Sequence, residues 1–304
     1  MTEQLPLFQR KNFPAMRTQG MSIVPPSATS SVLSLLPAYY AYLQSQGYSP
    51  YTPADFCGDV KKLGMFLQNK AVQEIATGDI RDWIRVLRSV ERMTDKTISR
   101  KLSALNNFFI WLIAEKVLEH NPAATIPNSK IISPLPDILF EAECSRLLEV
   151  ASHDVRVYLL VLLLLETGIK TEEVMNLQLS HIDVSNKYAP EVWIRHTGKK
   201  VKKDRKLKLL AEVVPILTEY TTTYKIVDRL FPCTQRLLQY LIKTTAERAN
   251  IKKHVSAQLL RDTCAVRLLR RGEPIETVLL KLGFSETTWE DAKEKYLRLT
   301  SKAL

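Results

Sequence analysis

A proline-rich stretch constrains this sequence more than any other feature, because it divides the chain in two. Residues 127–137 read PNSKIISPLPD, with three prolines and almost no apolar periodicity. Proline fixes φ and cannot continue a helix, so this composition is typical of an extended linker. The chain has 304 residues, which suits about two domains. We therefore predict domains over residues 31–126 and 138–304, preceded by an N-terminal arm over residues 1–30.

The first predicted domain is helical. Apolar residues recur at helical spacing in four segments, Leu33–Gln46, Thr52–Asn69, Asp79–Val90 and Asp95–Ala114. The last segment has the clearest apolar stripe, formed by Ile98, Leu102, Leu105, Phe109 and Leu112. Its opposite face is polar and carries Lys96, Arg100, Ser103 and Asn107, with Lys101 nearby. Two interpretations stay open for this face, which is either simply solvated or lies against DNA with its cations on phosphates.

The second predicted domain is mainly helical with one small antiparallel sheet. Helices are predicted over Glu141–Ala151, Val155–Glu166 and Thr171–Leu177, and in several pieces after Ala211. Strands are predicted over His181–Asn186, Glu191–His196 and Arg205–Leu210, with a basic turn between the last two. The expected fold class is therefore mainly α, with a helical first domain and a mixed α/β second domain.

The charge of the chain points to a polyanionic partner. Lysine and arginine total 43 against 32 acidic residues, a net charge of +11, which most often indicates nucleic acid. A basic protein without such a partner is the alternative. From Arg195 to Lys208, eight of 14 residues are Lys or Arg, and Asp204 is the one acid. So dense a basic run predicts phosphate contacts, made by Lys199, Lys200, Lys202, Lys203 and Arg205.

Other classes of protein are disfavoured by the sequence. No apolar run approaches the 18 residues of a membrane span, and the first residues contain no apolar segment typical of a secretory signal. The four cysteines are widely scattered and form no CxxC pair, so we expect reduced thiols in a cytoplasmic protein. The five histidines are scattered as well, and no metal site or cofactor is indicated.

Several motifs of the second domain occur in an order that resembles the tyrosine recombinases, the phage-integrase and Xer-like family of DNA strand-exchange enzymes. They are Thr167-Gly168-Ile169-Lys170 with Glu173, Lys199 in a basic hairpin, Gln258-Leu259-Leu260-Arg261, Leu282-Gly283-Phe284, and Tyr296. The first domain is similar to the core-binding domain of that family through SPYT, TISRKLSALNNFFIWL and HNPAATIP. The resemblance thus covers both domains and the linker, and it implies a two-domain recombinase fold.

The resemblance also implies the parts of an active site. Tyr296 is the expected nucleophile, and Arg261 is the expected phosphate clamp, since a guanidinium fork suits bidentate contact. Lys199 is the expected general acid, with Lys200 as the alternative in register. Lys170 occupies a position where the family has arginine. Lysine keeps the positive charge but lacks the guanidinium that can bind two phosphate oxygens at once. Glu173 is expected to orient or neutralise Lys170.

Other family positions have changed chemistry. Gln258 replaces histidine and cannot exchange a proton near neutral pH. Phe284 also replaces histidine and offers no donor, so the indole N–H of Trp289 is a candidate substitute, with a core role as the alternative. The stretch from Phe284 to Tyr296 is longer than the family's usual spacing.

The resemblance implies a site-specific recombinase that cleaves and rejoins double-stranded DNA through a 3′-phosphotyrosyl bond. It also implies a homo-oligomer, with four protomers assembled on two duplexes. The changes at Lys170, Gln258 and Phe284 motivate two alternatives. One is a DNA-binding protein on a recombinase scaffold with little strand transfer, and the other is a topoisomerase-like nicking and resealing activity.

Overall fold

The computed structural model describes residues 25–47, 51–68, 70–127, 134–195 and 204–302. The chain divides into two compact units between Ile132 and Ser133, a point inside the proline-rich stretch. The first unit contains α1 (Val32–Ser45), α2 (Tyr51–Phe66), a 3₁₀ turn (Val72–Glu74), α3 (Thr77–Ser89) and α4 (Asp95–Ala114). The hydroxyls of Ser31 and Thr94 cap α1 and α4 by accepting backbone N–H groups of the first turn.

The core of the first unit is aromatic and aliphatic. All five residues of the predicted α4 stripe are buried, and Phe108 and Trp111 join them, which makes the buried face of α4 wider than the stripe predicts. Tyr39 of α1 lies in the same core and its hydroxyl donates to Asn107 Oδ1 at 2.7 Å. Asn107 therefore serves an internal hydrogen bond on the face that the sequence assigns to solvent or DNA.

The structure corrects the prediction for Lys101. Its side chain is buried, 3% exposed, and its ammonium lies 2.5 Å from Asp59 Oδ1 of α2, which is itself 4% exposed. A buried charge is tolerated only with such a partner, so Lys101 serves an internal ion pair and not a phosphate contact. Arg100 also contacts Asp59, with its side chain 51% exposed. Lys96 lies on the exposed surface of α4.

The second unit is a helical assembly with a small sheet. It contains α5 (Glu141–Ala151), α6 (Val155–Thr167), α7 (Thr171–Met175), β1 (Ile182–Asp183), β2 (Glu191–Ile194), β3 (Arg205–Lys208), α8 (Val213–Thr223), α9 (Gln235–Arg248), α10 (Ala257–Arg270), α11 (Ile275–Leu282) and α12 (Glu286–Lys302). A 3₁₀ turn covers Leu179–His181. The strands form an antiparallel sheet in the order β1-β2-β3, with Val192 paired to Ile182 and Leu207. These elements confirm the predicted fold class.

Helix α6 is the centre of the second unit. Each residue from Leu159 to Leu165 is at most 1% exposed, because α5, α8, α9 and α10 pack around it. The longest apolar run of the sequence, residues 157–165, thus lies in an internal helix. Among the described residues, no helix combines the length and the apolar character needed to cross a bilayer.

All three strands are shorter in the structure than the sequence predicts, and β1 differs most. Strand β1 covers Ile182–Asp183, whereas His181–Asn186 was the prediction. The strand ends because the Asp183 carboxylate accepts the N–H of Ser185 at 3.0 Å and so turns the chain. The strand begins late because His181 belongs to the preceding 3₁₀ turn.

Candidate active site

Two helix ends meet at the centre of the candidate site. Gly168 ends α6 and Gly283 ends α11, each with a left-handed backbone, at φ of 59° and 70°. A Cβ on Gly168 would lie 2.4 Å from the Leu282 side chain, and one on Gly283 would lie 2.6 Å from Arg205 Nη1. Glycine is favoured at both positions, because a side chain would strain the left-handed backbone and would crowd Leu282 or Arg205.

Arg261 of α10 connects these two ends. Its side chain is 2% exposed, its Nη1 donates to the carbonyl of Gly168, and its Nη2 donates to the carbonyl of Leu282 at 2.8 Å. Carbonyls at helix C-termini lack intrahelical partners, so the guanidinium satisfies groups that would otherwise be unpaired. Burial holds the pKa of Arg261 below its ordinary value.

Lys170 also contacts the end of α11. It follows the Gly168 turn, and its ammonium lies 3.4 Å from the carbonyl oxygen of Gly283. Lys170 and Arg261 therefore converge on the Leu282–Gly283 end of α11. The structure brings together the two cations that the sequence assigns to the phosphate clamp.

Glu173 contacts Lys170, as predicted, and it also forms a buried ion pair with Arg205 that the sequence did not predict. Arg205 of β3 places Nη1 and Nη2 at 2.8 and 2.7 Å from the two carboxylate oxygens of Glu173, and its Nε donates to the Lys281 carbonyl at 2.7 Å. Both side chains are at most 10% exposed. Arg205 is therefore a buried internal partner and not a phosphate contact. Glu173 is neutralised by Arg205, and it touches Lys170 through the backbone N–H at 2.7 Å.

The pKa of Glu173 reflects this arrangement. Burial alone would raise the pKa of its carboxyl, but the hydrogen bonds and charge of Arg205, with the N–H of Lys170, lower it below its ordinary value. The carboxylate is thus held in its charged form. Its pair with Arg205 joins α7 to β3, and Arg205 joins both to the end of α11 through the Lys281 carbonyl.

Tyr296 lies on α12 with its hydroxyl buried. The residue is 0% exposed, and its hydroxyl donates to Asp262 Oδ1 at 2.9 Å. Burial raises the pKa of Tyr296 far above its ordinary value, the charge of Asp262 raises it further, and the charge of Arg261 lowers it. The phenol is therefore neutral in this state.

Asp262 is a residue of the site that sequence reasoning missed. It is 1% exposed and accepts hydrogen bonds from Lys295 Nζ at 2.8 and 2.9 Å and from Gln258 Nε2 at 2.9 Å, besides the one from Tyr296. A signal was present in the sequence, because Asp262 lies four residues after Gln258, a spacing that places both on one helix face. A carboxylate beside Arg261 on a largely apolar helix was a second signal.

Phe284 packs against both the guanidinium of Arg261 and the phenol ring of Tyr296. The Arg261 Cζ lies 5.0 Å from the centre of its ring, and the Tyr296 ring packs edge to face with it at 5.9 Å. Trp289 is half-buried and packs against the same apolar cluster of α10, α11 and α12. This contact gives Trp289 a packing role, and its role as a hydrogen-bond donor stays a prediction.

Four predicted site residues, Lys199, Lys200, Lys202 and Lys203, lie outside the residues that the structure describes. Within the described ranges, no group of His, Cys, Asp and Glu side chains is arranged to hold a metal ion. The described part of the site therefore consists of Lys170, Arg261, Gln258, Asp262 and Tyr296. The ion pair Glu173–Arg205 supports it beside Lys170.

Comparison with known proteins covers both units. Residues 138–295 match the model of the phage integrase family, and residues 36–116 match the phage integrase N-terminal SAM-like domain. A tyrosine recombinase of Pseudothermotoga lettingae is 28% identical over 246 residues, 78% of this chain and 84% of that protein. The tyrosine recombinase XerC of Listeria innocua is 25% identical over 289 residues, 84% of this chain and 94% of that protein.

Solved structures show the same fold at lower identity. A lambda integrase fragment, crystallised as a dimer on a COC′ core site, superposes with a TM-score of 0.67 at 16% identity, over 83% of this chain and 94% of that one. The XerH site-specific recombinase, in a post-cleavage complex with a difH substrate, superposes with a TM-score of 0.68 at 16% identity, over 83% and 78% of the two chains.

Proposed function

The chain belongs to the phage integrase family of tyrosine recombinases, and we propose that it cleaves and rejoins DNA through a bond between Tyr296 and a 3′ phosphate. The observation that carries this proposal is the convergence of Arg261, Lys170 and Tyr296 around the ends of α6 and α11. These side chains come from three separate places, which are helix α10, the turn before α7 and helix α12. A purely structural cluster does not require a nucleophile and two phosphate-binding cations together.

Each residue has a role in the proposed reaction. Tyr296 attacks the scissile phosphorus and displaces the 5′ oxygen. Arg261 and Lys170 bind the nonbridging oxygens, where charge develops in the transition state. Lys199 protonates the leaving oxygen, as the resemblance implies. Strand exchange is the reverse of this step on a partner duplex.

The structure describes a closed state of this site. Tyr296 and Arg261 are 0% and 2% exposed, and the Phe284 ring packs against both. A DNA phosphate reaches them only if the Phe284 ring moves away from both side chains. We therefore propose that DNA binding includes such an opening, since interactions with many phosphates provide free energy for it.

A basic groove beside Gln258 supports an approach of DNA from that side. It is lined by the exposed side chains of Arg236, Lys243 and His254, with Tyr240 between them. In the first unit, the exposed side chains of Lys96 and Arg100 are available for phosphate contacts. Both units therefore carry cations for DNA, in agreement with the net charge of +11.

We also propose an oligomeric assembly on DNA. The lambda integrase structures show a dimer on a core site and a tetramer on a Holliday junction. By analogy, four protomers of this chain would hold two duplexes during exchange.

A DNA-binding protein with weak or no cleavage is the second candidate function. Three observations favour it, namely a lysine in place of the clamp arginine at position 170, an amide at Gln258, and the apolar Phe284. Many phosphate contacts would maintain DNA affinity despite these changes, because affinity does not depend on one clamp. Covalent trapping separates the two functions, since only the enzyme becomes attached to DNA.

Restoring the family side chains is expected to accelerate cleavage. Lys170→Arg combined with Gln258→His should raise the rate of covalent adduct formation by about tenfold or more, because a guanidinium binds two phosphoryl oxygens where an ammonium binds one. The substrates are nicked DNA segments from the genomic region around the coding sequence of this protein. The covalent protein–DNA adducts are resolved on a denaturing gel.

The matched control for this pair is Lys187→Arg, which makes the same chemical change at an exposed position between β1 and β2. It should leave the rate unchanged. An unchanged rate in the restored variant, in a protein that still binds the DNA with strong salt dependence, would favour the scaffold function.

A further inference from the structure

The environment of Asp262 is more elaborate than a structural carboxylate needs. Three donors surround it, the Tyr296 hydroxyl at 2.9 Å, the Lys295 ammonium at 2.8 Å and the Gln258 amide at 2.9 Å, and the residue is 1% exposed. Lys295 alone would neutralise the charge. The Tyr296 contact is a further hydrogen bond, and it joins Asp262 to the atom that acts as nucleophile in the proposed function.

The proposed reaction needs a group that takes the proton of Tyr296. The described groups of this site come from α7, α10, α12 and the end of α11. Gln258 exchanges no proton, Arg261 and Lys295 are cations that already donate, and Phe284 is apolar. Cys264 is a buried thiol whose pKa burial raises to about 12. Glu173 is committed to Arg205 by two hydrogen bonds. Asp262 is the acceptor already in contact with the phenol.

We propose that Asp262 is the catalytic residue that accepts the proton of Tyr296 during DNA cleavage, an inference that rests on the proposed function. As the bond between Tyr296 Oη and phosphorus forms, the bond from phosphorus to the 5′ oxygen breaks. The phenolic proton passes to Asp262 Oδ1, and the 5′ oxygen receives a proton from the general acid. In rejoining, the 5′-hydroxyl gives its proton back to the deprotonated general acid and attacks phosphorus, the bond between phosphorus and Tyr296 Oη breaks, and Asp262 returns its proton to Tyr296.

The charges around the pair favour this internal transfer. Burial raises the pKa of Tyr296, and Asp262 raises it further, because two anions would lie 2.9 Å apart inside the protein if the phenol lost its proton to water. Transfer to Asp262 keeps the charge of the pair at one negative unit, which Lys295 and Arg261 compensate. An aspartate takes the proton of an attacking hydroxyl in protein kinases by the same logic.

The position of Asp262 also suits a site that opens. It follows Arg261 directly on α10, so the acceptor and the phosphate clamp share one rigid helix. Lys295 precedes Tyr296 directly on α12, so the ion pair with Asp262 holds the nucleophile near its acceptor. Movement of Phe284 admits DNA without separating these two contacts.

The test uses DNA in which sulfur replaces the bridging 5′ oxygen, because a thiolate leaves without a general acid and the rate then reports on the nucleophile alone. Adduct formation is followed from pH 6 to pH 9 in the full chain. We expect Asp262→Asn to lower the rate at pH 7 at least about 100-fold, the lower range for general base catalysis. Its rate should rise tenfold per pH unit, since the phenol must then ionise by itself. The wild-type rate should be independent of pH over this range.

Two further variants complete the design. Asp262→Glu retains an acceptor and should keep a pH-independent rate, which a merely structural role does not predict. Glu290→Gln makes the same carboxylate-to-amide change at an exposed position on α12 and should behave as wild type.

Each outcome decides the proposal. If Asp262→Asn cleaves as fast as wild type, or faster, Asp262 only holds the phenol in place and accepts no proton. If the variant is slow but its rate is independent of pH, the role of Asp262 is structural. A wild-type rate that rises with pH would also overturn the proposal. This result needs no variant, so it decides the question even if the variants fail to fold. An absence of adduct in wild type would instead remove the proposed function and the role of Asp262 with it.

Discussion

Replacing Arg261 by alanine is expected to lower the rate of adduct formation at least about 10²–10³-fold, the usual cost of removing one transition-state donor. The expected loss is large because Arg261 is the one guanidinium that the described residues place between the two helix ends. Lys170 would remain, but its single ammonium cannot replace a fork that binds two oxygens. The measurement is single-turnover adduct formation with saturating DNA.

The same change should also destabilise the second unit. It leaves the carbonyls of Gly168 and Leu282 without their donor, and each unsatisfied buried group costs about 1–3 kcal/mol. Arg270→Ala is the matched control, an exposed arginine on the same helix, and it should change the free energy of unfolding by less than about 0.5 kcal/mol. Equal effects of the two variants on both rate and stability would contradict the assigned role of Arg261.

Arg205→Met is expected to reduce the free energy of unfolding by about 3–5 kcal/mol, because it leaves the carboxylate of Glu173 buried without a cation. The double variant Arg205→Met with Glu173→Gln should recover a large part of this loss, since no unpaired charge then remains. Urea denaturation of the full chain gives the stabilities, and hydrogen exchange at α7 and α11 shows where the structure opens.

The ion pair also predicts a pH dependence. The pKa of Glu173 is lowered in the folded state, so its charge stabilises the fold above the unfolded pKa of about 4.3. This contribution disappears as pH falls through the lower, folded pKa. The stability difference between wild type and Glu173→Gln should therefore be largest near neutral pH and shrink below about pH 4. Glu172→Gln, an exposed neighbour on α7, should show no such dependence.

The helices could be predicted from the sequence because their apolar periodicity is local. Helix α4 has the predicted bounds, Asp95–Ala114, since Thr94 caps it and its stripe repeats without interruption. Helix α5 also has its predicted bounds. Strand β1 differs because a side-chain hydrogen bond from Ser185 to Asp183 ends it, an event that periodicity does not reveal.

The burial of cations could not be predicted in the same way. Lys101 and Arg205 look like solvated basic residues in sequence, and their partners Asp59 and Glu173 lie 42 and 32 residues away along the chain. Only tertiary packing brings these charges together. The identities of Tyr296, Arg261 and Lys170 came from motif order, whereas Asp262 was missed because its partner Tyr296 is 34 residues away.

Covalent trapping with wild type and Tyr296→Phe tests the central claim most directly. The phenylalanine variant keeps the ring that packs on Phe284 and loses only the hydroxyl. Tyr188→Phe, at a tyrosine 92% exposed, is the matched control. On nicked DNA, wild type and the control should form a protein–DNA band that survives denaturation, and Tyr296→Phe should form none. A band of equal strength in Tyr296→Phe would contradict the assignment of the nucleophile, and tight binding without any band in wild type would contradict the enzymatic function.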